Sequence, residues 1–304
     1  MEDLFYGIDA ISFGKRFTCN DDCYEYLYSI KWAKGYSCIR CGCTEDVKGR
    51  THFHRRCKRC SYDESVTSNT LFHKVKMPIL KAFHILFRTV TKKKGMSSIE
   101  LSTEVGVQQK TAWRFKLKIK NAMIQENKKK LKGKVQVDEM LIGGYSAGNI
   151  GRSLTQKRAV LIATEELADG RTGDLQMRVI ENFKKDTLEI NVKEMVEKGT
   201  SLKTDQFKSY AQMKKEGMDI EMNKSDKGKF LEELHKQILQ FKCWLKGTHH
   251  KCEERYLQTY IDEYEFRFNR RNRRADIFNS IIFKIMNAVP KRYSDLIMPC
   301  VQNT

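Results

Sequence analysis

A chain of 304 residues with 40% hydrophobic content has enough apolar material for a packed core and room for more than one domain. Its 57 Lys and Arg against 38 Asp and Glu leave a net charge of +19, and residues 1–130 carry 26 basic and 13 acidic side chains, so an extended polyanion, nucleic acid above all, is the expected partner. No stretch approaches the roughly 18 apolar residues of a membrane span, and the start, Met-Glu-Asp-Leu-Phe, lacks the basic and apolar run of an export signal, so a membrane is excluded and the cytoplasm expected.

Residues 1–36 read as a helical lead-in, with Tyr24, Leu27, Tyr28 and Trp32 at helical spacing and Cys19 and Cys23 as ordinary thiols. Ten cysteines in a chain without an export signal point to metal binding or free thiols rather than disulfides. Cys38-Ile-Arg-Cys41 and Cys57-Lys-Arg-Cys60 form two knuckles separated by fifteen residues. Each short turn presents two sulfurs, so the pair suits one tetrahedral Zn²⁺ in a zinc ribbon over residues 37–65. Cys43 is surplus, and His52 and His54 fall mid-strand without knuckle geometry. The intervening residues are basic, with Lys48, Arg50, Arg55 and Arg56.

Residues 66–128 are expected to form a helical, helix-turn-helix-like DNA-binding region. An extended connector over 66–77 leads to Pro78, and Leu80, Phe83, His84, Leu86, Phe87 and Val90 then repeat as a core helix. His73 and His84 are read as packing or surface histidines. Ser97 opens a further helix, Gly106 marks a turn, and the helix after it carries Lys110, Arg114, Lys116, Lys118 and Lys120, expected to contact DNA.

The lysine-rich segment 124–134 marks a boundary, and residues 129–290 are expected to form an α/β domain. Strands are predicted over 135–142, 158–164 and 174–180, then a helix over 186–197, a short strand 201–204 delivering Asp205, a helix 207–216, a strand 219–222 and two long helices. Three strands in a meander, then strands alternating with helices, is the order of a ribonuclease H-like fold. The first and fourth strands are neighbours in that order, so Asp138 and Asp205, 67 residues apart, are placed to share divalent metal. A buried carboxylate such as Asp138 needs a compensating partner, which a metal supplies.

At this point the motifs resemble a family. Val-Asp-Glu-Met-Leu-Ile-Gly-Gly, Lys-Thr-Asp-Gln-Phe-Lys-Ser-Tyr, Trp-Leu-Lys-Gly-Thr-His-His and Tyr-Ile-Asp-Glu-Tyr-Glu-Phe-Arg-Phe-Asn-Arg-Arg look like those of bacterial insertion-sequence transposases, which join an N-terminal zinc ribbon to a DDE-type ribonuclease H-like catalytic domain. The resemblance implies strand cleavage at element ends and transfer of the 3′-hydroxyl to target DNA with Mg²⁺ or Mn²⁺, by a homo-oligomer assembled on DNA in a bacterial nucleoid. Carried over, Asp138 bridges both metals and Asp205 binds one, while Glu139 points to the opposite face of its strand. The family takes Glu, Asn or His as third member. His235 is the residue expected here, with Glu232, Glu233, His249 and His250 as rivals. Imidazole suits Mn²⁺ better than Mg²⁺. Arg267, Arg270 and Arg271, followed by Arg273 and Arg274, are expected to grip phosphate. Alternative functions are a domesticated, inactive DNA-binding protein and a structure-selective nuclease.

Overall fold

The computed structural model describes residues 4–124, 128–143, 154, 157–224, 229–249 and 252–290. In chain order they form α1 (Ala10–Arg16), α2 (Asn20–Lys31), β1 (Asp46–Lys48), β2 (His54–Cys57), β3 (Asp63–Ser65), α3 (Ile79–Thr91), α4 (Ser98–Val105) and α5 (Gln109–Met123). There follow β4 (Lys134–Gly143), β5 (Lys157–Glu166), β6 (Thr172–Ile180), α6 (Lys185–Met195), β7 (Ser201–Asp205), α7 (Lys208–Lys215), β8 (Ile220–Asn223), α8 (Glu232–Thr248), α9 (Leu257–Phe268) and α10 (Ile277–Asn287). The chain divides into two units, one of residues 1–123 with 272–304 and one of residues 124–271.

The first unit holds a three-stranded antiparallel ribbon, β1-β2-β3, and a helical core. The ribbon is too small to bury a core of its own. It is tied to α2 by a Lys31–Glu64 ion pair of 2.8 Å and by the Arg55 Nε–H donated to Tyr28 Oη. Residues 66–77, expected to be extended, instead coil through turns, with Asn69 and Lys74 at positive φ. In α4, Ser97 and Glu100 make a reciprocal capping box, and Gly106 ends the helix at φ 65, a left-handed conformation that glycine adopts without strain.

The helical core is aromatic. Phe13 stacks on Phe87 at 4.2 Å, and Phe5, Phe17, Tyr26 and Phe83 surround them. At its centre is Phe278 of α10, with ring centroids 5.6 Å from Phe13 and 5.8 Å from Phe5, Phe17 and Phe83. The neighbouring Asn279 accepts a hydrogen bond from the buried Tyr26 hydroxyl. This corrects the expected boundary at residue 290. The 277–287 helix belongs to the first unit, because Ile277, Phe278, Ile281, Ile282 and Ile285 complete a core that the N-terminal helices begin.

In the second unit a five-stranded sheet runs β6-β5-β4-β7-β8. β4, β5 and β6 form an antiparallel meander, whereas β7 and β8 lie parallel to β4. Side chains alternate across each strand, so both faces are apolar. Val135, Val137, Leu161 and Leu202 pack against Leu188, Val192, Tyr210 and Met213 of α6 and α7. Met140, Val160, Ile162 and Met177 pack against Leu234, Phe241, Leu257 and Ile261 of α8 and α9.

The outer strand β6 has backbone groups to satisfy. Side chains of α9 and its C-cap residue meet them: the N–H of Leu175 donates to Asn269 Oδ1 at 2.8 Å, that of Met177 to Glu265 Oε2 at 3.1 Å and that of Val179 to Gln258 Oε1 at 2.9 Å. A helix side here takes the place of a sixth strand.

Candidate functional site

β4 carries Asp138 to the middle of the sheet. Gln136, which accepts the Leu234 N–H at 3.3 Å, and Met140 face α8, so Asp138 between them faces α8 as well. In the parallel pairing Lys134 is level with Ser201, Val135 with Leu202 and Gln136 with Lys203. The pairing stops there; extended two residues, the same register would set Asp205 level with Asp138. Leu202 joins the α6/α7 layer, and alternation therefore turns Asp205 to the Asp138 face. The ligand atoms of Asp138, Asp205 and His235 do not all lie within 4.8 Å of one another, so the structure brings His235 to Asp138 and leaves Asp205 outside that close cluster.

His235 lies in the first turn of α8, and its Nε2 is 2.9 Å from Asp138 Oδ2. The sequence rivals lie elsewhere. Glu232 and Glu233 pair with Lys236 at 2.9 and 2.8 Å, and Glu233 also accepts from Thr172 Oγ1 at 3.3 Å. His249 is the C-cap of the same helix. At a rise of about 1.5 Å per residue it is roughly 20 Å from His235. There it stacks on Tyr260 at 4.2 Å, with Nε2 3.9 Å from Glu263 Oε2. His250 lies outside the described residues.

Behind Asp138, on the opposite face, Glu139 accepts a hydrogen bond from the hydroxyl of Tyr210. Tyr210 is wholly buried, and burial first, then the charge of Glu139, pushes its hydroxyl well above the usual tyrosine range. It is therefore a donor at any working pH. The Glu139 N–H donates to Asp138 Oδ1 at 2.8 Å, which steadies the neighbouring carboxylate.

A second cluster sits in the ribbon. The sulfurs of Cys38, Cys41, Cys57 and Cys60 lie within 4.8 Å of one another, the one group of three or more such ligand atoms among the described residues to do so. Cys38 Sγ is 3.5 Å from Cys60 Sγ, and Cys41 Sγ is 3.5 Å from Cys57 Sγ. Four thiolates around one ion at about 2.3 Å would stand roughly 3.8 Å apart, so little movement is needed to hold a metal. Burial opposes ionisation of Cys38, but the N–H groups of Arg40 and Cys41 and the Cys60 thiol outweigh it and bring the thiol to about 6. Cys43 bonds instead to the Glu45 carbonyl, and His54 Nδ1 to Thr51.

The expected DNA contacts divide. Lys110 and Arg114 are exposed on α5. Lys116 is buried, with its ammonium on the Met96 carbonyl, and Lys118 is half-buried, its pKa lowered by that burial. Lys116 therefore holds α5 to its own unit and has no face toward a duplex. The arginines at the end of α9 and just after it also make contacts within the unit. Arg267 Nη1 lies 3.7 Å from the buried Glu263, Arg270 covers the Phe266 ring at 3.9 Å, and Arg271 donates to the carbonyls of Thr172 and Gly173. Arg271 thus ties the end of α9 to β6, while Arg267 and Arg270 contact α9 itself. The sequence pattern does not reveal the Arg271 contact because its partners are backbone groups of a strand about 98 residues away.

Residues 130–269 match the family model of the ISXO2-like transposase domain. The match spans Asp138, Asp205 and His235, and it begins beyond the four cysteines. No curated protein matches the chain.

Proposed function

We propose, for a chain whose residues 130–269 are an ISXO2-like transposase domain of the insertion-sequence transposase family, that it cleaves and joins DNA at the ends of its element, with Asp138, Asp205 and His235 as metal ligands. The observation that carries this reading is the Asp138–His235 contact of 2.9 Å, and the adjacency of β4 and β7, whose pairing ends two residues before Asp138 and Asp205, supports it. The order β6-β5-β4-β7-β8, a meander followed by two parallel strands, supports a ribonuclease H-like fold for this domain.

Two carboxylates and an imidazole are a hard and borderline donor set that fits Mg²⁺ or Mn²⁺. When bound, such ions supply a Lewis acid and an activated water for phosphoryl transfer. The chain's own residues do the rest. Asp138 on the central strand, Asp205 at the end of β7 and His235 on α8 would hold the ions, and His235 would have to be neutral to do so. In the ribbon, Cys38, Cys41, Cys57 and Cys60 hold a structural Zn²⁺. The excess of positive charge on residues 1–130, with Lys110 and Arg114 exposed, supplies affinity for DNA. The protein works as a homo-oligomer on DNA at the bacterial nucleoid.

The test is cleavage and joining of a duplex carrying the terminal sequence taken from DNA flanking this gene. Asp138→Ala and Asp205→Ala should abolish both steps while DNA binding persists. Activity retained by either variant would remove the metal-site assignment.

A further inference from the structure

The β4–β7 pairing runs from Lys134 and Ser201 to Gln136 and Lys203. Beyond it β4 continues along β5 to Gly143, whereas β7 ends at Asp205 and the chain turns into α7. Asp138 and Asp205 thus stand two residues past the last paired residues, where the two strands part company. At this level a side-chain hydrogen bond joins the two elements, from Tyr210, on α7 five residues after Asp205, to Glu139, on β4 one residue after Asp138.

Every part of that bridge is anchored. Tyr210 is 0% exposed, packed among Val137, Leu202 and Met213. The Ser209 hydroxyl next to it donates to the Phe183 carbonyl at 3.1 Å, which fixes the start of α7. Glu139 is joined to the carboxylate of interest by its own backbone, since its N–H donates to Asp138 Oδ1 at 2.8 Å. A displacement of α7 is therefore passed through one phenol and one carboxylate to Asp138. We propose that Tyr210 and Glu139 are a positioning pair that sets the separation of the Asp138 and Asp205 carboxylates from behind the sheet. The inference rests on the reading of those two aspartates as metal ligands.

The pair does not touch the reacting DNA. Its effect is on how well the carboxylates are prearranged for cations, and outer groups that orient metal ligands are worth about 10- to 100-fold in metal affinity. The hydrogen bond, not the charge of Glu139, carries this role. Tyr210→Phe removes the donor and keeps the ring. Glu139→Ala removes the acceptor, and Glu139→Gln keeps an acceptor oxygen without the charge.

The measurement is calorimetric titration of Mn²⁺ into the full-length, zinc-loaded protein, with the thermal midpoint of each variant recorded alongside. Tyr210→Phe and Glu139→Ala should each weaken Mn²⁺ binding about tenfold or more, and Glu139→Gln should restore it to within a few-fold of the parent. Parent-like affinity in Tyr210→Phe would overturn the proposal, and so would Glu139→Gln binding as poorly as Glu139→Ala. A lowered midpoint with unchanged Mn²⁺ affinity would reduce the pair to core packing and equally overturn it. Asp138→Ala separates the two levels. If it binds Mn²⁺ like the parent, the aspartate site itself is wrong; if it does not and Tyr210→Phe does, only the positioning role falls.

Discussion

Asn269 and Leu175 exchange two hydrogen bonds, the Leu175 N–H donating to Asn269 Oδ1 and the Asn269 amide donating to the Leu175 carbonyl, each at 2.8 Å. One side chain thus imitates a neighbouring strand at the outer edge of the sheet. Asn269→Ala leaves a partly buried N–H and C=O unpaired, and each such loss costs about 1–3 kcal/mol. The variant should lose about 2–6 kcal/mol of stability in urea denaturation, with DNA affinity of the remaining folded protein unchanged. Lost DNA affinity at full stability would return this segment to phosphate binding.

Lys128 reaches both Asp262, at 3.4 Å, and Glu265, at 2.9 Å. Burial raises both carboxyls above their usual range, with Lys128 pulling the other way. An acid with a raised folded pKa holds more protons folded than unfolded, so its contribution to stability is present at low pH and is lost as pH rises through that raised value. Lys128→Met removes the counter-cation and should cost about 3 kcal/mol at neutral pH, and less at pH 5. Denaturation at the two pH values decides this; an equal loss at both would contradict it.

The four-cysteine cluster predicts one zinc per chain. Cys57→Ser should lose it by elemental analysis, and chelation should unfold the ribbon while leaving the sheet of residues 124–271 folded, because small metal ribbons fold only with their ion. Zinc retained by Cys57→Ser would show that the metal is held elsewhere.

Exposed and buried lysines on α5 should separate in DNA binding. Lys110→Ala and Arg114→Ala should each weaken binding and lower the salt slope by about one, whereas Lys116→Ala should lower stability. The comparison belongs in the full chain. A fragment of residues 1–130 would lack Phe278 and Asn279, which complete the first unit's core. A Lys116→Ala variant with full stability and a reduced salt slope would reverse the assignment.

Much of this architecture is legible in the sequence because it is local. The alternation of Val135, Val137 and Asp138, the two cysteine knuckles and the serine cap at Ser97 each state their structure within a few residues. What the sequence hides are partnerships across the chain. The apolar residues of α10 look like any amphipathic helix end, and nothing nearby says that Phe278 packs on Phe13. Nothing near Arg271 in the sequence says that it reaches the carbonyls of Thr172 and Gly173. Glu139 reads as a mere neighbour of Asp138, since its partner Tyr210 comes 71 residues later.

The central claim is that His235, and not His249, completes the site with Asp138 and Asp205. His235 Nε2 is 2.9 Å from Asp138, while His249 lies against Tyr260 and Glu263 at the far end of the same helix. Strand cleavage by His235→Ala and His249→Ala, each normalised to folded, DNA-bound protein, measures it most directly. The account predicts that His235→Ala loses cleavage with DNA binding intact, and that His249→Ala cuts at the parental rate per folded molecule while melting earlier. Normal cutting by His235→Ala beside a folded but inactive His249→Ala would contradict it.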